Sequence, residues 1–190
     1  MTIFEFISVA ISIILGLSIA RLLTGAIDLI SHRERIQFHW VPIVWASIMF
    51  SLLILFWWQL FGSNQFLKQW AFWDFLLAIS CTVCIYVACG LILPRRWTND
   101  KIDLLQYFEK DGRFGVAAYS LFYLIVIPYN MRLYGEMATA GVLTMNLIQA
   151  VLAGVAAFNR SKRWLAMSTI AFVVIYLSNV AVVIFPAFGQ

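Results

Sequence analysis

Six polar side chains occupy positions where the sequence predicts membrane-spanning helices, and polar groups are unusual in such helices. They are Arg21, Asp28, Asn130, Asn146, Gln149 and Asn179. A guanidinium, a carboxylate and four amides could bind an ion or a small solute through charge and hydrogen bonds. An ionisable group at the centre of a bilayer costs about 2.5–3.5 kcal/mol on insertion scales, so such residues often serve a function. We therefore predict that these six residues form a polar pathway or pocket.

Each of these residues also has a purely structural interpretation. Arg21 is predicted to lie about two helical turns, roughly 10 Å, from the membrane surface, and an arginine stem can reach most of that distance. Asp28 follows seven residues later on nearly the same face and could share a partner with Arg21. Asn and Gln side chains often hold transmembrane helices together, usually at under about 2 kcal/mol each. The sequence leaves both interpretations open.

A second set of charges lies at the other predicted membrane surface. Glu5 begins the first apolar run and Asp74 the third, while Arg132 ends the fourth and is followed by Glu136. Arg132 could pair with any of these acids, and hydration at the membrane surface would account for all of them equally well. We keep Glu5, Asp74 and Arg132 as candidate outer-face charges.

The residue types that usually carry catalysis are not arranged for it. Both histidines, His32 and His39, lie in one short loop, and the sequence lacks H-E-x-x-H, G-x-S-x-G and a glycine-rich phosphate loop. Cys81 and Cys84 are three residues apart in one predicted helix, where a disulfide is poorly placed and no second pair completes a metal site. We predict no catalytic residue, no metal site and no cofactor, so an enzyme is the least favoured class.

Membrane helices are the elements that must position these residues. The chain has 190 residues, of which 63% are hydrophobic and 12% charged, whereas a soluble domain carries about twice that charged share. A helix needs roughly 20 apolar residues to cross the hydrocarbon core. Six such runs are present, at about 3–30, 41–61, 71–93, 114–134, 137–158 and 164–185. We predict an all-α bundle of six transmembrane helices that forms a single domain, residues 1–190.

Small residues and prolines add detail to this bundle. Along the first helix a small residue recurs every fourth position, at Ser8, Ser12, Gly16, Ala20 and Thr24. This spacing predicts the close approach of another helix, and so do the alanines and glycine at 150, 153, 154 and 157. Three prolines mark helix ends, namely Pro42, Pro94 and Pro186, whereas Pro128 lies inside a run and is predicted to break the fourth helix.

The longest connection, residues 94–115, is predicted to contain a short helix in the membrane interface at about 99–111. Asn99 or Asp100 could cap its start and Gly112 could close it. Its apolar side chains would lie along one side, at Ile102, Leu105 and Phe108. A solvated linker anchored by a few apolar side chains fits the sequence as well as a docking surface does.

Lysine and arginine predict the orientation of the chain. The connections after the first, third and fifth runs carry Arg33, Arg35, Arg95, Arg96, Lys101, Lys110, Arg113, Arg160, Lys162 and Arg163. The other two connections carry only Lys68 and Arg132. Because basic loops stay in the cytoplasm, both termini are predicted to lie outside it. No basic run is long enough to follow a phosphate backbone, so no nucleic-acid partner is expected.

The runs SIILGLSIARLLTGAIDLI and WVPIVWASIMFSLLILFWW resemble those of a family of small, uncharacterised bacterial multi-pass membrane proteins. The resemblance implies a bacterial inner-membrane location. It implies no activity, cofactor or site residue for this chain.

These observations support two hypotheses about function. The first is the passage of an ion or a small solute through a channel or transporter, suggested by Arg21, Pro128 and the amides. The second is a membrane-embedded binding, sensor or structural subunit that docks a partner through residues 94–115. Under either hypothesis the chain contacts the lipid bilayer, and a homo-oligomer or a membrane partner is expected because small and aromatic faces suit helix–helix contacts.

Overall fold

A computed structural model describes residues 3–63, 71–95, 101–135 and 140–184. Its helices are α1 (Ile3–Ser31), α2 (Trp40–Ser63), α3 (Phe72–Ile92), α4 (Leu104–Tyr107), α5 (Arg113–Tyr134), α6 (Ala140–Phe158) and α7 (Lys162–Ile184). A π-helical turn, Phe108–Gly112, makes α4 and α5 continuous. Within these residues, six helices are long and apolar enough to cross a membrane, with α4 and α5 counted as one. The predicted all-α, six-helix architecture is therefore confirmed, although predicted helix residues 137–139 and 185, together with Glu136 and Pro186, lie outside the described residues.

α1 contacts the bundle through a repeat that differs from the predicted small-residue ladder. Its buried residues are Ile7, Ile11, Leu15, Ser18, Leu22, Gly25 and Leu29. Successive members are four or three residues apart, which keeps one face against a neighbouring helix. A side-chain carbon on Gly25 would lie 3.0 Å from Cδ1 of Leu93, so the contact of α1 with the end of α3 is close.

The small residues of α1 drift away from that face because they recur every four residues. A side-chain carbon on Gly16 would have nothing within 4 Å among the described residues. Ala20 and Thr24 are exposed. The predicted close approach therefore does not involve the second half of this ladder within the described chain.

α3 and α5 form the closest-packed pair of helices. A Cβ on Gly115 would lie 2.9 Å from the carbonyl oxygen of Ala88 and 3.3 Å from the amide nitrogen of Ile92. The two backbones are thus in direct contact, which a larger residue at 115 would prevent. On its other side α5 packs against α6, where Ala150 and Ala153 are buried and Ser120 donates a hydrogen bond of 2.7 Å to the carbonyl of Ala150. The predicted tight packing of this alanine face is confirmed.

The connection before α5 differs from the predicted interfacial helix. Asn99 and Asp100 lie outside the described residues, and the observed cap is Asp103, whose carboxylate accepts from the amides of Leu105 at 2.8 Å and Gln106 at 3.2 Å. Gly112 does not end the helix, because its backbone stays helical and leads into α5. The helical segment therefore begins at Leu104 and extends the fourth span instead of forming a separate element.

Three connections meet at one end of the bundle, which we call the basic end. Ile36–Gln37 and Ile102–Asp103 form a parallel two-stranded pair that joins the first connection to the third. Glu109 from the third connection and Arg160 from the fifth line one pocket. The chain runs along the bundle six times between Ile3 and Ile184. Because six is an even number, both residues lie at the end opposite the basic end.

Candidate functional site

A cavity of ≈ 120 Å³ lies between α2, α5, α6 and α7. Five side-chain amides line it, namely Gln59, Asn130, Asn146, Gln149 and Asn179, and we call it the amide cavity. Two tyrosines, Tyr123 and Tyr176, and several aliphatic side chains complete the wall. None of the described residues that line the cavity is charged. The structure thus brings four of the six predicted pathway residues together.

The amide cavity extends inward from the end opposite the basic end. Gln59 lies in the last two turns of α2, and Val142 in the first turn of α6. Along α5 the lining runs from Asn130 to Phe122, eight residues that rise about 12 Å. A solute in this cavity would therefore reach well into the membrane-spanning part of the bundle.

Gln149 is the centre of a hydrogen-bonded chain that joins three helices. Nδ2 of Asn179 on α7 donates to Oε1 of Gln149 on α6 at 2.8 Å. Nε2 of Gln149 in turn donates to the hydroxyl of Tyr123 on α5 at 3.2 Å. Gln149 is 1% exposed, so both ends of its amide need partners, and both have one.

Asn146 differs from Gln149 in this respect. It lies three residues earlier on the same face of α6 and is 7% exposed. Its Nδ2 is buried and has no hydrogen-bond partner among the described residues. A buried donor without a partner costs about 1–3 kcal/mol. Asn146 therefore presents an unused donor to the cavity, which a solute or a water molecule could satisfy.

Aromatic rings close the amide cavity on the side of the basic end. The ring centroids of Trp45 and Phe172 are 4.7 Å apart, and those of Tyr119 and Tyr123 are 5.3 Å apart at 90°. Each of these four residues is at most 4% exposed. We call Trp45, Tyr119, Phe122, Tyr123 and Phe172 the aromatic floor. These packed rings lie between the amide cavity and the basic end.

Pro128 does not break its helix as predicted. α5 is helical from Arg113 to Tyr134, with Pro128 inside it. The side chain of Pro128 is exposed, whereas that of Asn130 lines the amide cavity. A proline removes one backbone hydrogen bond but need not interrupt a transmembrane helix whose neighbours hold it in place.

Arg21 and Asp28 lie elsewhere and do not line the amide cavity. Nη2 of Arg21 donates to the carbonyl of Leu93 at 3.2 Å and to that of Pro94 at 3.5 Å. The hydroxyl of Tyr107 donates to the same Leu93 carbonyl at 3.0 Å. These contacts satisfy free carbonyls at the end of α3 and place a positive charge at the negative end of that helix.

Asp28, predicted to share a partner with Arg21, forms no ion pair with it. Its backbone carbonyl instead accepts a hydrogen bond from the amide of His32 at 3.0 Å. The same oxygen lies 2.9 Å from Nδ1 of His32. Asp28 therefore takes part in the end of α1.

Among the candidate outer-face charges, the structure pairs Arg132 with Asp74. Nε of Arg132 donates to Oδ1 of Asp74 at 3.0 Å, and Nη2 donates to Oδ2 at 3.4 Å. Asp74 is 1% exposed and also accepts a hydrogen bond from the amide of Ala71 at 3.0 Å, which caps α3. Glu5 is exposed in the first turn of α1. The ion pair between Asp74 and Arg132 joins α3 to α5 at the end opposite the basic end.

Sequence reasoning missed three polar residues of the cavity wall: Gln59, Tyr123 and Tyr176. Helical spacing could have found the two tyrosines, because Tyr176 precedes Asn179 by three residues and Tyr123 precedes Asn130 by seven. The hydroxyl of Tyr176 lies 2.6 Å from that of Ser51, which joins α7 to α2 beside the cavity.

The described residues contain no group of three His, Cys, Asp or Glu side chains that could hold a metal ion. Comparison with known proteins finds no matching family model, no matching curated protein and no matching solved structure.

Proposed function

We propose that this protein binds a small, uncharged, hydrogen-bonding solute in the amide cavity and passes it across the membrane. The observation that carries the proposal is the buried Nδ2 of Asn146, a donor that lines a cavity of ≈ 120 Å³ and has no partner in the described part of the chain. One water molecule requires only about 10–15 Å³ of such space. A solute that carries a hydrogen-bond acceptor would fit the cavity and satisfy this donor.

The lining favours a neutral solute over an ion. A permeating ion loses water and needs opposite charge or a ring of carbonyl oxygens in exchange. The described wall offers amides and hydroxyls, and its Gln149 carbonyl is already used by Asn179. The ion pair between Asp74 and Arg132 is not part of the described wall. Amides and tyrosines suit a molecule that both donates and accepts hydrogen bonds.

Passage requires the aromatic floor to open. In alternating access, a site near mid-membrane is exposed first to one side and then to the other. The floor is formed by rings from α2, α5 and α7, so a shift of α2 or α7 relative to α5 would separate them. A state that binds solute from one side must be closed toward the other side, and the aromatic floor would provide this closure.

The alternative, docking of a partner through residues 94–115, loses support from the same structure. Ile102 is half-buried beside Ile36, and Phe108 is 1% exposed. Leu104 is fully buried. The apolar side chains expected to bind a partner are thus packed within the chain. The described part of this segment exposes polar groups, such as Gln106, Glu109 and Lys110, together with Phe114.

The setting of this activity is also a proposal. The excess of Lys and Arg at the basic end favours a cytoplasmic position for that end, so the cavity would open to the outside. The resemblance to small bacterial membrane proteins favours the bacterial inner membrane. Exposed apolar side chains along α1, including Ile13, Leu17 and Ile27, leave a face that lipid or a second copy could cover.

Stopped-flow light scattering on proteoliposomes would test the proposal, with urea, glycerol and acetamide as neutral probes. We expect the protein to raise the permeability to at least one probe, and Asn146→Leu to lower that permeability about tenfold, as for one lost hydrogen bond of ~1.4 kcal/mol. Thr144→Val is the control, because Thr144 is exposed on the same helix and bonds only to the carbonyl of Ala140. Permeability no greater than that of empty liposomes for every probe would contradict passage.

A further inference from the structure

A second cavity lies on the outside of the bundle, between α1 and α2, apart from the amide cavity. Its volume is ≈ 560 Å³, within the range of about 300–1,000 Å³ that is usual for small-molecule sites. Leu22, Leu29 and Leu93, each at most 9% exposed, line it. We call it the α1–α2 groove. It exists because α1 packs mainly on α3 and touches α2 less extensively.

The groove has an apolar length and a charged end. From Leu22 to Ile30 its wall rises about 12 Å along α1. Phe38 and Arg33, both exposed, line the end that lies at the basic end. Apart from Arg33, the only other hydrogen-bonding side chain in its described wall is that of Ser47.

Arg33 is available to a ligand. Within the described chain it forms no ion pair, and its one hydrogen bond is a long contact of 3.5 Å to the carbonyl of Ile30. A second arginine, Arg35, lies two residues further along the same short helical turn. A guanidinium can donate two hydrogen bonds to one phosphate.

We propose that the α1–α2 groove binds one anionic phospholipid, with an acyl chain along α1 and the phosphate on Arg33. The argument is complementarity of charge and shape: an apolar channel that ends at a free guanidinium matches an amphiphile with an anionic head. A free phosphate ion would make no use of the apolar wall. An apolar helix of a second copy would cover Arg33 without supplying a negative charge to pair with its guanidinium.

Native mass spectrometry of the full chain, delipidated in detergent, tests this proposal. The probes are phosphatidylglycerol and phosphatidylethanolamine with identical acyl chains. We expect one tightly bound phosphatidylglycerol, with an affinity about tenfold above that of phosphatidylethanolamine, as for one charge-assisted hydrogen bond. Arg33→Gln should remove this preference. Arg163→Gln, which removes the same charge at the basic end but outside the groove, should preserve it.

A second variant tests the apolar part of the groove. Ala26 lines the groove and is exposed, so Ala26→Phe fills the space with little disturbance of the bundle. We expect it to displace the bound phosphatidylglycerol, even though Arg33 is intact. Three outcomes would overturn the proposal: no preference in the parent protein, equal loss with Arg33→Gln and Arg163→Gln, or a dimer that dissociates when Ala26 is replaced.

Discussion

Asn179 donates a hydrogen bond of 2.8 Å to the side-chain carbonyl of Gln149, across the boundary between α7 and α6. The two residues are thirty positions apart in the chain. Both residues line the amide cavity, and the hydrogen bond between them fixes the direction in which the Gln149 amide points. The nitrogen of that amide is therefore directed to Tyr123, whereas the buried Nδ2 of Asn146 has no partner among the described residues.

Gln149→Leu should destabilise the protein. The substitution removes the acceptor of Asn179 and the donor to Tyr123, and it leaves both partners in a buried wall. Interhelical hydrogen bonds in membranes contribute about 0.6–1.7 kcal/mol each, so we expect a loss of roughly 1–3 kcal/mol. Equilibrium unfolding in mixed micelles measures it. Ser178→Ala is the control, because Ser178 is exposed and bonds only within α7; an equal loss in the control would contradict this explanation.

Asn146→Leu should have the opposite effect on stability. Leucine is close to asparagine in size and carries no donor, so the change removes the cost of burying an unpaired group. We expect a gain of about 1–2 kcal/mol in the free energy of unfolding, measured without solute. A loss of stability would show that Nδ2 of Asn146 is satisfied in the folded protein.

Arg21→Met should leave solute permeability unchanged. Arg21 contacts the carbonyls at 93 and 94 and does not line the amide cavity. Without the guanidinium, the last turn of α3 should open more often. Hydrogen–deuterium exchange should therefore increase near Ile92 and Leu93, while the exchange of α6 stays constant. If Arg21→Met lowered the solute permeability as much as Asn146→Leu does, Arg21 would be part of the pathway, and its structural role would be contradicted.

Gly115→Ala and Gly16→Ala should have different effects on the stability of the protein. At 115 the added Cβ would lie 2.9 Å from a carbonyl oxygen of α3, whereas at 16 it would have nothing within 4 Å among the described residues. We expect Gly115→Ala to destabilise by about 1–3 kcal/mol through overpacking. Gly16→Ala should be neutral or stabilise by up to about 1 kcal/mol, because alanine favours helix. Thermal unfolding of both variants measures the difference, and similar melting temperatures would contradict the assigned packing.

The grouping of the amides was readable from the sequence, because each interrupts an apolar run long enough to span a membrane. Asn130, Asn146, Gln149 and Asn179 were predicted to belong to one polar pathway or pocket, and all four line the cavity. The role of this space in passage stays a prediction.

Partners across the bundle were not readable, because they depend on which helices are neighbours. The carbonyl of Leu93, which accepts a hydrogen bond from Arg21, belongs to a residue 72 positions away in the chain. The small-residue ladder of α1 suggested a contact face, but the buried residues of α1 are spaced by a mixture of four and three positions. A short helix was predicted at about 99–111, but its observed cap is Asp103, which also belongs to the strand pair with Ile36–Gln37.

Saturation-transfer NMR on the protein in nanodiscs tests the amide cavity most directly, because it detects solute binding without requiring passage. The probes are urea, glycerol and acetamide, applied to the parent protein, Asn146→Leu and Thr144→Val. We predict transfer to at least one probe in the parent and in Thr144→Val, and its loss in Asn146→Leu. Equal transfer in all three proteins, or none in the parent, would contradict a solute site at Asn146.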